Sequence, residues 1–442
     1  MLDTFANMFR IPELRKKILF TLGILVVYRF GCLLPVPGVN VEALADIFKN
    51  LESQPLGKML GFAAALSGGA LSKSTLFCLG IMPYISATII FQLLTGVVPA
   101  LERLRKEGES GLKKIRQYER YTTVILCIFQ GAIYIKFLDS MRQEGGVSII
   151  DNHWAVRMTA IITMATGTMI LMWLGDQITQ FGVGNGISLI IMAGIIDRLP
   201  AGLWGLLTGS VSLGTAVFLI AAFAVIVGGV VLITQGQRRI PTQQAKHTRG
   251  RHVVGGGRQF LPFRVNHAGV MPIIFASTLL MFPAMLLFPF KDTPWGIFLN
   301  NHVFMWGTWP YILLYVILIF FFSYFWTALM FKPKDVADNL KDYGSFVPGI
   351  RPGRKTAEYL EYIMIHITLA GAAFLAIIAV IPQCMTMVGG GMEVGILASL
   401  YGGTSILIVV GVALDLVEKI ESHLMMRHYE GFMRKGRIRG RH

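Results

Sequence analysis

Long apolar runs alternate with short polar segments along the whole chain. Ten runs are candidates for membrane spans, at residues 18–34, 75–98, 121–138, 156–174, 187–203, 215–234, 269–290, 311–331, 363–381 and 402–417. About 20 apolar residues in a helix cross the roughly 30 Å hydrocarbon core of a bilayer. The pattern therefore predicts an all-α polytopic membrane protein with ten transmembrane helices.

The second span is preceded by an apolar segment that is broken. Residues 57–71 carry four glycines and, at 1.5 Å per residue, reach only about 22 Å as a helix. Irregular backbone at membrane depth must be buried in protein or line a wet cavity. A half-span followed by the full span at 75–98 therefore predicts a re-entrant half-helix beside a pore or a binding cavity.

Composition and charge agree with this class and give an orientation. The chain is 54% hydrophobic and 15% charged, whereas soluble domains are about 25% charged. Most of its 40 lysines and arginines fall in five segments that alternating spans place on one side: the N-terminus, the second-to-third connection, the loops 235–268 and 332–361, and the C-terminal tail. The positive-inside rule predicts that this side, with both termini, is cytoplasmic.

An internal repeat relates the two halves of the chain. The repeated motifs are GIMP at 80–83 with GVMP at 269–272, and GISLII at 186–191 with GTSILI at 403–408. Each pair is five spans apart, and because five is odd, the second half must enter the membrane inverted. We therefore predict two inverted five-helix halves, 1–205 and 206–442, with the functional cavity at their interface.

The repeat also pairs particular isoleucines. Ile85 and Ile274 each lie two residues after a motif proline, and Ile191 and Ile408 close the other two motifs. If the pseudo-two-fold axis passes through a constriction, these apolar side chains can form a gasket that dewets and blocks ions. The alternative is ordinary packing, because most isoleucines in membrane helices face lipid or a neighbouring helix.

Several long motifs resemble those of the SecY/Sec61-alpha family of protein-conducting channels. They are SGGALSKSTLF at 67–77, GIMPYISATIIFQLL at 80–94, and the tail MRHYEGFMRKGRIRG at 426–440. The resemblance extends over essentially the whole chain. It implies a central pore-forming subunit of the protein translocon, which passes unfolded polypeptides across the membrane and releases transmembrane segments laterally into lipid between spans two and seven.

The resemblance also implies site residues. The pore ring would comprise Ile81, Ile85, Ile187, Ile191, Ile274 and Ile408, and the plug, within 57–71, Phe62, Ala63, Ala64, Leu66, Ser67, Gly68 and Gly69. Gln92, Ser277 and Thr278 are polar groups available to latch the lateral gate. Two alternatives remain: the half-span could be a static packing element, and the polar groups could make ordinary interhelical hydrogen bonds.

Two cytoplasmic loops are candidate sites at which partners bind. The loop 235–268 has seven basic residues and no acidic one, which suits RNA phosphate, although topological retention alone would also favour basic residues. In the family this loop binds the ribosome and the SecA motor, which implies roles for Arg238, Arg239, Arg249 and Arg251. His252 stands where many relatives have an arginine. The motif FVPGIRPG at 346–353 presents Arg351, which by resemblance is needed for motor-driven transport.

The remaining partners and the location are also implied by the resemblance. The partners are the small subunits SecE and SecG, the SecA ATPase, the ribosome, signal peptides, nascent polypeptides and membrane lipids. The location is the bacterial cytoplasmic membrane, with multiple spans and cytoplasmic N- and C-termini.

Enzyme signatures are poor. There is no P-loop and no HExxH pattern, so we predict no catalytic residue, metal or cofactor. The alternative function is a secondary transporter, which also uses inverted repeats and broken helices. It should carry ionisable groups near the midplane, whereas Arg29, Lys136 and Asp415 lie toward span ends, where they can snorkel or face water.

Overall fold

The computed structural model describes residues 11–44, 67–145, 149–197, 200, 213–244, 247–249, 252–254, 257–287, 293–294, 308–388 and 403–435. The chain divides into two compact units. The first contains Met1–Val211, Met285–Ile297 and Ile408–His442, and the second contains Ser212–Ala284 and Phe298–Leu407. The assignment of halves at 1–205 and 206–442 stays a prediction.

The first unit is helical. Its helices are α1 (Pro12–Gly31), α2 (Met82–Val97), α3 (Pro99–Lys106), α4 (Glu109–Gly145), α5 (Trp154–Phe181) and α6 (Gly186–Ile196). Helix α4 packs against both α2 and α5, and α5 also packs against α1 and α6. On α1 the buried residues Leu14, Thr21, Ile24 and Tyr28 recur at helical spacing, so one stripe packs inward while Phe20, Val27 and other apolar residues remain exposed.

The second unit combines helices with a small sheet. Its elements are α7 (Leu213–Gln235), β1 (Gln237–Gln244), β2 (His247–Arg249), β3 (His252–Val254), β4 (Arg258–Arg264), α8 (Met271–Leu287), α9 (Trp309–Met330), α10 (Pro333–Asp342), β5 (Ser345–Phe346) and α11 (Arg354–Val388). A last helix, α12 (Gly403–Lys435), begins in this unit and continues into the first.

The helices agree with a protein of many spans. Among the described residues, four helices are long and apolar enough to cross a membrane, or five if the bent pair α2 and α3 is counted as one span. Predicted and observed bounds agree closely for the eighth span, predicted at 311–331 and found as α9 at Trp309–Met330. The chain is therefore a multi-pass membrane protein.

The start of the second span was predicted wrongly. The continuous apolar run predicted a helix from residue 75, but residues 67–81 form turns and α2 begins only at Met82. Gly80 has a φ of +57°, which a right-handed helix cannot include. Pro83 lacks an amide hydrogen and is tolerated only in the first helical turn. At the other end, the chain bends by 98° between α2 and α3.

The internal repeat is visible in local structure. Gly80 and Gly269 both have positive φ, +57° and +63°, and in both cases the helix begins two residues later, at Met82 and Met271. The other motif pair also matches, because α6 begins at Gly186 and α12 at Gly403. The paired motifs therefore start helices in the same way, as a structural repeat requires.

The basic loop 235–268 contains a β-hairpin, which the all-α prediction did not include. Strand β1 pairs antiparallel with β4, from Gln237 opposite Arg264 to Gln243 opposite Arg258, and its far end pairs with β5. Prolines are rare in strands because they cannot donate a ladder hydrogen bond. Pro241 in β1 and Pro262 in β4 therefore hid the strands from the sequence pattern.

The hairpin packs onto the base of α11. Ile240 of β1 and Phe263 of β4 are buried in a cluster with Val347, Leu360 and Ile363. Phe331, which follows α9, packs around this cluster together with side chains of α10 and of the chain after β5. Burial of such a cluster stabilises the loop region by the hydrophobic effect, so the hairpin is anchored rather than a free basic tail. We call the segment from β1 to β4, together with β5, the hairpin platform.

Candidate functional site

The C-terminal end of the predicted plug is held in the first unit. Of the plug residues, Ser67, Gly68 and Gly69 are described, and Phe62, Ala63, Ala64 and Leu66 lie outside the described residues. Ser67 is buried, and its hydroxyl accepts a hydrogen bond of 3.2 Å from the amide of Leu71. Gly68 is buried as well, so this end of the predicted plug is well packed.

The turns between the plug and α2 are hydrogen-bonded to two neighbouring helices. The Tyr134 hydroxyl of α4 lies 2.6 Å from the Ser74 hydroxyl and donates to the Leu71 carbonyl at 3.1 Å. The Thr168 hydroxyl of α5 donates to the Gly80 carbonyl at 3.2 Å. These groups are buried, so they satisfy the irregular backbone inside protein, as an interrupted segment at membrane depth requires.

The candidate ring isoleucines lie at or near helix starts. Ile81 precedes the first residue of α2 and is 5% exposed, and the Ile85 amide donates to its carbonyl at 3.0 Å. Ile191 of α6 is also buried, whereas Ile187 is partly buried and packs against Gly175 of α5. Four of the predicted residues therefore lie just before, or within the first two turns of, two helices of one unit.

The other two ring residues are also buried. Ile274 of α8 is 8% exposed and Ile408 of α12 is 2% exposed. Because Ile274 belongs to the second unit and Ile408 to the first, their convergence with the α2 and α6 residues on one ring stays a prediction.

The predicted gate residues differ in how their polar atoms are satisfied. The hydroxyls of Ser277 and Thr278 both donate to the Ile274 carbonyl of their own helix, at 2.9 and 2.7 Å. Gln92 of α2 has a buried side-chain oxygen with no hydrogen-bond partner among the described residues. A buried unpaired amide oxygen is costly, so Gln92 is the gate residue with capacity for a new hydrogen bond.

Arg351 follows a tight turn at the edge of the hairpin platform. The Ile350 amide donates to the Val347 carbonyl at 3.1 Å, with Pro348 second in the turn and Gly349 third at φ +84°. This is the pattern of a type II turn. The Arg351 carbonyl accepts a 2.9 Å hydrogen bond from the Thr356 hydroxyl, and its side chain is exposed.

The predicted hairpin arginines lie on its strands. Arg238 and Arg239 lie in β1 and are exposed. Arg249 ends β2 and pairs with His252 of β3, and Arg251 lies outside the described residues. The described strands therefore present positive charge on a hydrogen-bonded support.

Comparisons with known proteins identify the family. The sequence profile described as SecY matches residues 75–417. The chain is 40% identical over 446 residues to the protein translocase subunit SecY of Thermotoga maritima, an alignment that covers 100% of both chains. The chain belongs to the SecY family. As a SecY-family chain it is a channel subunit rather than an enzyme, as the resemblance of its motifs to that family implies.

Solved structures show that the fold is that of SecY-family channels. One structure concerns a SecY plug domain that stabilises the closed state and maintains a membrane seal; it has a TM-score of 0.60 and 17% identity, covering 92% of each chain. Another is Sec61 in a canine ribosome–channel complex, with a TM-score of 0.56 and 18% identity, again covering 92% of each chain. At these identities the likeness concerns the fold.

Sequence reasoning missed the side chains that hold the turns of this SecY-family chain. Tyr134 and Thr168 looked like ordinary residues of apolar spans, because the carbonyls to which they donate are 63 and 88 positions away. Arg29 carried a usable signal, since an ionisable residue in a span is a functional candidate by default. It lies at the end of its span, as predicted, with its side chain 43% exposed, and the structure adds its pairing with Asp197.

Proposed function

We propose that this chain is the central pore-forming subunit of a protein translocon. It passes unfolded polypeptides across the membrane and releases apolar segments into lipid through a gate between α2 and α8. The observation that carries the proposal is full-length relatedness: the chain is 40% identical to a protein translocase subunit over 100% of both sequences. The inverted repeat and the irregular backbone before α2 fit a pore between two halves.

A secondary transporter is the competing function. It shares inverted repeats and broken helices, but it needs ionisable groups near the membrane midplane. Arg29, the ionisable residue of the first apolar run, lies in the last turn of α1. Reconstitution separates the two functions: a translocon imports an unfolded secretory protein when a cytosolic motor and ATP are supplied, whereas a transporter accumulates a small solute.

We propose distinct roles for the ring, plug and gate residues. The six isoleucines form an apolar constriction that excludes hydrated ions. The segment 57–71 closes this constriction from the outer side at rest, as the plug domain of the structurally similar SecY channel stabilises the closed state of that protein. Gln92 would latch the gate, since its unpaired side-chain oxygen can accept a hydrogen bond.

The hairpin platform is the proposed docking surface for cytoplasmic partners. A fold neighbour is bound to a ribosome, and exposed arginines on a hydrogen-bonded hairpin suit RNA phosphate. Arg238, Arg239, Arg249 and Arg251 would contact the ribosome, and Arg351 would engage the SecA motor. SecE, SecG, signal peptides, nascent polypeptides and membrane lipids complete the proposed set of partners.

Loss of the hairpin charges should weaken ribosome binding in a salt-dependent way. We expect Arg249→Ala with Arg251→Ala to raise the dissociation constant for the ribosome. The plot of the logarithm of the association constant against the logarithm of the salt concentration should become less steep, by about one for each phosphate that the variant no longer neutralises. Binding of ribosomes to the reconstituted complex, measured across a salt series, gives both quantities. As a control, Arg103→Ala with Arg105→Ala removes equal charge from α3. Equal slopes for both variants would contradict a specific RNA contact.

The proposed location is the bacterial cytoplasmic membrane, with both termini in the cytoplasm. We expect single cysteines at Gly145 and Trp295 to react with an impermeant thiol reagent from outside, and cysteines at Gly256 and Gly344 to react only after permeabilisation, in a background lacking the native cysteines. Because Gly344 has a φ of +64°, Tyr343, which is 80% exposed, is the better position for that probe. Labelling of Gly256→Cys from outside would reverse the orientation.

A further inference from the structure

The last turn of α1 carries an ion pair that joins it to the end of α6. A guanidinium nitrogen of Arg29 lies 2.6 Å from a carboxylate oxygen of Asp197, the residue after α6. In the proposed orientation the first and fifth spans both run outward. The pair therefore lies at the outer ends of both helices, the side from which the plug enters.

The same guanidinium also reaches the plug. Its second terminal nitrogen donates to the Gly68 carbonyl at 3.5 Å, a long hydrogen bond. Asp197 orients the guanidinium, so Arg29 contacts α6 and the plug backbone together. Arginine suits this role because its planar fork presents several donors in a fixed geometry.

Gly68 is seated against α6 and α1 by close backbone approach. A Cβ added at Gly194 of α6 would lie 3.0 Å from the Gly68 nitrogen. A Cβ at Gly68, which has a φ of +63°, would lie 2.5 Å from the Tyr28 hydroxyl oxygen. A side chain at Gly68 or Gly194 would prevent this approach. The packing of the plug against α6 and α1 therefore requires glycine at both positions.

Two of the contacts that hold the turns at 67–81 differ in strength. The hydrogen bonds of Tyr134 to Ser74 and Leu71 are buried, and the one to Ser74 is short at 2.6 Å. The Arg29–Asp197 pair is partly exposed, with side chains 43% and 33% accessible, and its bond to Gly68 is long. Exposed charge pairs contribute little, whereas buried hydrogen bonds are costly to break. The Arg29 attachment is therefore the one that can release first.

We propose that Arg29 and Asp197 form a latch that positions the plug in the closed channel, and that the Tyr134–Ser74 contact is the hinge about which the plug moves. This inference rests on the proposed plug function of residues 57–71. An entering polypeptide displaces Gly68 from α6, the long bond to Arg29 breaks, and the hinge keeps the segment attached to α4. Both latch residues act through the plug, so they are positioning residues.

The latch predicts a leak at rest when either partner is neutralised. We expect Arg29→Gln and Asp197→Asn each to raise the resting ion conductance of the full translocon complex in planar bilayers by about threefold to tenfold, the range expected for a partly exposed charged contact. Arg157→Gln is the matched control. It breaks the comparable ion pair with Asp139, at 2.9 Å and with similar exposure, and should stay tight.

A second measurement follows the plug itself. Ser67→Cys, in a background without the native cysteines, is buried at rest and should react slowly with an impermeant reagent added from outside. Adding Arg29→Gln should accelerate this labelling, whereas adding Arg157→Gln should not. A purely structural ion pair would change thermal stability without this selective exposure.

Deletion of residues 63–69 separates failure of the latch from failure of the plug. If the deletion leaks and Arg29→Gln adds nothing to it, the latch acts through the plug as proposed. If the deletion leaks but Arg29→Gln and Asp197→Asn stay tight, the latch is wrong and the plug stands. If the two leaks add, the Arg29 effect arises elsewhere and the latch is again overturned. A tight deletion variant overturns the plug function itself.

Discussion

Replacing the ring isoleucines by serine is expected to make the resting channel conduct ions. In the proposed seal, apolar side chains exclude water from a narrow constriction, so a polar, smaller side chain would let water enter and remove the dielectric barrier. We expect the leak to grow as Ile85, Ile274, Ile191 and Ile408 are replaced together, and to grow further when residues 63–69 are deleted. Ion conductance in planar bilayers, without a translocating chain, measures it.

Two comparisons make this result specific to the ring. Isoleucine to leucine at the same positions should leak little, because width and apolarity are kept. Ile317→Ser on α9 should not leak, since Ile317 is 54% exposed on a helix outside the repeated motifs. Ile274 and Ile408 are buried, so thermal stability of each variant must be measured to exclude unfolding. A tight quadruple variant, or an equal leak from Ile317→Ser, would mean that the pore axis lies elsewhere.

Reversing the charge of Arg351 is expected to abolish motor-driven translocation while leaving the protein folded. The turn before it depends on Pro348 and Gly349, and the hydrogen bond after it uses the Arg351 carbonyl, so the backbone does not need the side chain. Glutamate in its place would repel an acidic partner surface and remove the donors that pair with it. Import of an unfolded secretory protein into proteoliposomes with SecA and ATP measures the loss of transport.

Arg354→Glu is the control for this experiment. Arg354 is three residues away, and its side chain is 91% exposed and pairs with Glu358 of the same helix at 3.1 Å. The net charge change is identical, so general electrostatics would impair both variants equally. We expect Arg354→Glu to retain most of its translocation. Equal loss in both variants, or an active Arg351→Glu, would remove Arg351 from the motor contact.

The placement of membrane spans followed from the sequence because a bilayer imposes a minimum length on every apolar helix that crosses it. The span predicted at 156–174 lies within the observed helix α5, Trp154–Phe181. The span predicted at 311–331 matches α9, Trp309–Met330, to within two residues at each end. The repeat was also detectable in the sequence. One motif pair combines glycine with proline, and both members of the other pair begin with glycine; glycine and proline limit where a helix can begin.

The cytoplasmic hairpin could not be predicted in the same way. Strand β1 is held by its partners β4 and β5, the second of which lies far along the chain, and by burial of Ile240 on the base of α11. Its local sequence, QRRIPTQQ, is polar and contains a proline. Strand formation depends more on such tertiary packing than on intrinsic preference.

The contacts that hold the plug segment were likewise decided by tertiary structure. The sequence identified the glycine-rich half-span and the arginine at the end of the first span. It could not show that Arg29 meets Asp197 and Gly68, or that Tyr134 meets Ser74, because these partners are brought together only when the helices pack. Hydrophobic periodicity depends on residues that are close in the sequence, so it can be detected without a structure. The pairing of polar groups inside a membrane protein depends on which helices become neighbours, and only the tertiary structure shows that.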